Sequence, residues 1–162
     1  MHLLNRFFGP FAALLVVSAV YYSSPETERV WASLGLIVVA LATNSWIAKN
    51  CYRYIRWTQV MRHAQIWANF VWALALFFLL GAWWGPMWLL LLLCPVSAAV
   101  YGSHTETFLA AAASALGLLA FYWFRGVEGS FAWGQAYTHA VFLILFPLFI
   151  HSRAQASLRV RN

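Results

Sequence analysis

Charge in this chain is confined to the ends of six apolar runs and the gaps between them, and this arrangement restricts the fold more than any motif does. The runs cover residues 4–22, 30–48, 66–84, 87–101, 106–124 and 133–150. A bilayer core asks for about 20 apolar residues per helix. The pattern therefore predicts an all-α polytopic membrane protein, a bundle of about six transmembrane helices. Of the ten basic residues, eight fall on one side of such a bundle. Arg6 lies at the start of the first run, Lys49, Arg53, Arg56 and Arg62 lie between the second and third, and Arg153, Arg159 and Arg161 follow the last. Arg29 and Arg125 fall on the opposite side, the first with Glu26 and Glu28, the second with Glu128. Cationic flanks stay on the cytoplasmic side, so both termini are expected inside.

Composition agrees with that reading. The 162 residues are 64% hydrophobic and 9% charged, which excludes an ordinary soluble domain. The formal charge of +6 does not point to nucleic acid, because the charges flank apolar runs and form no basic cluster with polar spacers. Membrane lipids with anionic headgroups are the expected counter-charge. Two cysteines make no disulfide framework: Cys51 falls in the inner loop and Cys94 within an apolar run. Tyr21 and Tyr22 stand where a signal-peptide cleavage site would need small residues, so the first run is expected to be retained. No repeat or linker is visible, and one domain is expected.

Along the chain, residues 49–65 differ in kind from the rest. Lys49, Arg53 and Arg56 recur at helical spacing, with Cys51, Tyr54, Ile55, Thr58 and Met61 broadly opposite. This describes a basic interfacial helix, or an inward extension of the second and third helices. Pro10 is expected in a first helical turn. Gly85-Pro86 makes an outer turn among Trp83, Trp84 and Trp88, residues suited to the water–lipid boundary. Pro95 predicts a kink, and Thr105 is expected to cap the fifth helix. That helix contains an alanine run with Gly117. Small residues let backbones approach, so Ala112 and Gly117 are expected on a packing face, central in the bundle or between copies of the chain.

Candidate chemistry is sparse. His63, His104 and His151 fall near the inner boundary, and three histidines at one depth could bind a metal or haem. None pairs with another at i, i+4 spacing and no cysteine or carboxylate pair joins them, so headgroup-facing histidines are the better reading, with no cofactor expected. His139 falls inside the sixth run, where a polar group is costly and tends to face the bundle or a cavity. With Tyr137, Thr138 and Gln135 it could line an outward ligand or pH-sensing pocket, although an interhelical hydrogen bond explains it more simply. Asn44 and Asn69 read as glue between helices. Aspartate is absent and no glutamate falls within the hydrocarbon, which argues against coupled transport. No catalytic constellation is visible. The aromatic content, 19%, is largely explained by interfacial belts and packing.

The stretch "MWLLLLLCPVSAAVYGSHTETFLAAAASALGLLAFYWF", followed by a short outer loop and "HAVFLILFPLFIHSRAQASLRVRN", resembles the membrane part of six-helix sensor histidine kinases, such as the type IV pilus sensor kinases. There a fourth helix runs into a small-residue inner turn, an alanine-rich fifth follows, and the sixth leads into a cytoplasmic signalling helix. The resemblance covers the second half of the chain and extends to the first in topology alone. It implies signal transduction at a bacterial inner membrane. The dimerisation, phosphotransfer and ATP-binding regions of those kinases have no counterpart in these 162 residues, so the resemblance implies an input module whose output lies on another chain. The expected function is thus a sensor-like or scaffold subunit. It would act through a protein partner or a homo-oligomer, docking by its basic face at Lys49, Arg53, Arg56 and Arg62. A small-molecule carrier or substrate-binding transport subunit is the alternative, and a structural subunit of a membrane complex the third.

Overall fold

The computed structural model describes residues 2–51 and 58–159, and among them there are six α-helices and no strand. In chain order these are α1 (His2–Ser23), α2 (Thr27–Cys51), α3 (Thr58–Leu80), α4 (Leu89–Tyr101), α5 (His104–Phe124) and α6 (Ser130–Arg159). A 3-10 turn, Gly85–Trp88, leads into α4. Four helices are long and apolar enough to cross a membrane, over Thr27–Ile47, His63–Leu80, His104–Phe124 and Ser130–Ala156. The apolar stretches Gly9–Ser23 and Gly85–Tyr101 are shorter.

Several helix ends differ from the expectations, each for a local reason. α2 continues to Cys51 and α3 begins at Thr58, so the described parts of the basic segment belong to these two helices. Because α1 starts at His2, Pro10 sits inside the helix rather than in its first turn. Its ring supplies no N–H to the carbonyl one turn earlier. The cap of α5 is Ser103, not Thr105. The Ser103 hydroxyl accepts from the Glu106 N–H at 3.2 Å, and the Glu106 carboxylate accepts from the Ser103 N–H at 2.8 Å. The spacing Ser103-x-x-Glu106 satisfies two donors reciprocally, which a cap at Thr105 would leave open. Gly102 is needed just before it: a Cβ there would lie 2.7 Å from both the Ala98 carbonyl and the Glu106 carboxylate.

The chain forms two compact units, Met1–Leu90 and Leu91–Asn162. In the first, α2 packs against both α1 and α3. α1 buries Ala12, Leu15, Val16 and Ala19, spaced as one helical face. α2 buries Ser33, Ala40, Asn44 and Ile47, and α3 buries Gln65, Ile66, Asn69, Ala73, Leu76, Phe77 and Leu80. Tyr22 at the end of α1 stacks on Trp84, ring centres 5.3 Å apart. In the second unit α5 and α6 form the main interface. α5 buries Thr107, Ala110, Ala111, Ser114, Ala115, Leu118 and Phe121. α6 buries Ala136, Ala140, Leu143 and His151, so small residues dominate both sides and the backbones can run close. Three buried hydroxyls donate to carbonyls three or four residues earlier, Ser33 to Val30, Ser97 to Leu93 and Thr107 to Ser103, whereas the buried Ser114 hydroxyl has no partner among the described residues. Large apolar side chains cover the opposite faces instead of polar ones, for example Leu116, Val141, Leu145 and Phe149.

Candidate functional site

The N-terminal end of α6 is held by Trp133, whose indole N–H donates to the Val127 carbonyl at 3.0 Å. Tyr122, Trp133 and Tyr137 then form an aromatic row, with ring centres 6.4 and 5.7 Å apart. Gln135 and Tyr137 are exposed, and His139 is half-buried. Gln135 and His139 lie one turn apart, whereas Tyr137 is rotated about 200° from Gln135 along the helix. The Thr138 hydroxyl is used within the helix, donating to the Gly134 carbonyl. The three residues singled out for a ligand or pH-sensing pocket are thus divided between two sides of α6, with Tyr137 in the aromatic row.

At the other end of the second unit, the turn between α4 and α5 meets α6. The capping box fixes the start of α5 and sets His104 at its first position, exposed. His151, which is buried, approaches it with ring centres 5.7 Å apart and planes at 72°. The Nδ1 of His151 lies 3.0 Å from the Ala99 carbonyl. A carbonyl can only accept, so Nδ1 carries the hydrogen and donates. That bond occupies one of the last carbonyls of α4, which helix geometry leaves without an intrahelical partner. Sequence spacing does not reveal this junction, since 52 residues separate its two ends. Two of the three histidines expected near the inner boundary are brought together here.

Of the basic residues expected to dock a partner, Lys49 is exposed on the last turn of α2. Arg53 and Arg56 lie outside the described residues, as does the side chain of Arg62, whose backbone belongs to α3. Arg153 is exposed, its guanidinium 5.7 Å from the centre of the Phe149 ring. Toward the other ends of the helices, Arg29 is paired with Glu26 at 3.0 Å. Ala112 and Gly117 are half-buried and flank the α5 face that carries Ala111, Ser114 and Leu118.

The first unit contains a polar seam. The Gln65 amide donates to Asn44 at 3.5 Å, a long bond joining α3 to α2. Asn44 therefore does act between helices, through a partner that the sequence reading did not single out. Farther along α3 the buried Asn69 Oδ1 and Trp72 Nε1 have no hydrogen-bond partner. Beside the seam, Gly9, Ala12, Ala40 and Ala73 line a narrow cleft with a volume of about 20 Å³. Asn44 and Trp72 contribute to its otherwise apolar wall. Among the described residues no three His, Cys, Asp or Glu side chains group to hold a metal ion. Cys94 is buried and in no disulfide. No protein-family model, curated protein or solved structure matches this chain.

Proposed function

We propose that this protein is an integral membrane subunit, with both termini on the cytoplasmic side, that senses or scaffolds and acts through a partner protein at its basic inner face. The reading rests chiefly on α6. Its 30 residues span about 45 Å at 1.5 Å per residue, while a hydrocarbon core is about 30 Å thick. One helix therefore packs against α5 through Ala136, Ala140 and Leu143 and also continues past its apolar span toward Arg153 and Arg159. A packing change within the bundle reaches the basic segment without crossing a loop. The sensor-kinase resemblance of the second half fits the same use, with the output on a separate chain and a bacterial inner membrane as the setting.

The test is site-specific photo-crosslinking from the exposed Gln155 in cells. A discrete protein adduct is expected, weakened by Lys49→Gln with Arg153→Gln and unchanged by Arg125→Gln at the far side. Adducts to lipid alone would reduce the inner face to an anchor. A second reading, a small-molecule carrier or substrate-binding transport subunit, is tested at the narrow cleft beside Asn44 and Trp72. Uptake in proteoliposomes, abolished by filling the cleft with Ala73→Phe, would establish that reading instead.

A further inference from the structure

We propose that His104 and His151 form a two-histidine binding site for a late first-row divalent transition-metal ion such as Zn²⁺, Co²⁺ or Ni²⁺, with water completing the coordination. This goes beyond the sensor or scaffold reading and does not depend on it.

Three observations carry the site. The first is distance. With a metal–nitrogen bond of about 2.0–2.1 Å and about 1.2 Å from a ring nitrogen to the ring centre, a tetrahedral ion sets two imidazole centres about 5.3 Å apart. The two rings stand 5.7 Å apart, within about 0.4 Å of that separation. The second is the outer shell. Metal-ligating histidines almost always donate their other N–H to a carboxylate, carbonyl or water, which fixes the tautomer. His151 already donates Nδ1–H to the Ala99 carbonyl, and this leaves the Nε2 lone pair as its ligand atom. The third is access. His104 is exposed, so an ion can enter from solution while His151 sits buried behind it.

Ligand chemistry narrows the ion. Neutral imidazole suits Zn²⁺, Ni²⁺, Cu²⁺ and Co²⁺, whereas Mg²⁺ and Ca²⁺ prefer oxygen. A bound ion would bridge the first residue of α5 to the inner part of α6, beside the end of α4 that His151 already holds.

The full chain, purified in detergent without a polyhistidine tag and stripped with EDTA, is titrated with Co²⁺. The visible absorption of four-coordinate Co²⁺ should appear at one ion per chain, displaced by Zn²⁺ and not by Mg²⁺. His104→Ala and His151→Ala should each weaken binding about tenfold or more, with His63→Ala unchanged. His104→Ala keeps the test decisive if His151→Ala fails to fold, because the first side chain is exposed and the second holds α4. Failure to bind Co²⁺ at one ion per chain would overturn the site, as would the same affinity in His104→Ala.

Discussion

At the residue scale, the turn between α4 and α5 shows how much structure a four-residue motif can set. Ser103→Ala removes the hydroxyl that accepts from the Glu106 N–H and should cost about 1 kcal/mol, as lost N-caps do. Gly102→Ala should destabilise as well, since the added methyl meets a backbone carbonyl that cannot step aside and the carboxylate that completes the cap. Both are read as a lower thermal midpoint in detergent, and no change in either would remove the capping box from the account. The polar seam gives a sharper contrast. If Asn69 held helices together, Asn69→Leu would be costly; with Oδ1 buried and unpartnered, the substitution should be neutral or stabilising. Gln65→Leu should instead lower stability, because it leaves the buried Asn44 carbonyl oxygen without its donor. Thermal midpoints of the two variants, measured side by side, decide it.

At the element scale, the apolar runs and their approximate limits are legible because charge exclusion is a strong, local signal. The rotational phase of α5 is not. From Ala110 to Ala115 every residue is alanine or serine, so no contrast between polar and apolar marks which side is buried. The packing stripe runs through Thr107, Ala111, Ser114 and Leu118, with Ala112 and Gly117 beside it rather than on it. Ala111→Leu and Ser114→Leu should each cost about 1–3 kcal/mol by overpacking. Ala112→Leu should cost less, and Leu116→Phe, on a face 66% exposed, should be silent. Equal losses at all four positions would mean that α5 is surrounded on every side. The His151 contact with Ala99 was illegible for another reason. It depends on tertiary closure between α4 and α6, and helical periodicity carries no information on which carbonyl a distant ring will meet.

At the scale of the whole molecule, exposed large apolar side chains are numerous on α2 and α6, and 22% of the most apolar part of each helix is buried within the fold. Such surfaces suit lipid as the surrounding medium. With inward termini, a cysteine at Ser130 should react with an impermeant reagent from outside, and one at Arg159 only after the membrane is opened. Reaction of both from one side would remove the N-in, C-in arrangement. The basic residues give only the expectation of this topology; the uneven burial of the helices depends on which faces meet, which charge counting does not address.

Pro147 lies fully buried within α6, one turn before His151. A proline supplies no hydrogen to the carbonyl four residues earlier, so the rod is mechanically softest there. Just past that soft point the helix is clamped, through His151, to the end of α4. Pro147 thus stands between the stretch of α6 that packs on α5 and the residue that bonds to α4, which makes it the expected pivot between them. Pro147→Ala would stiffen the pivot and should bind the motion of Arg153 to that of Ala140, seen as a narrower distribution of distances between spin labels placed at those two positions.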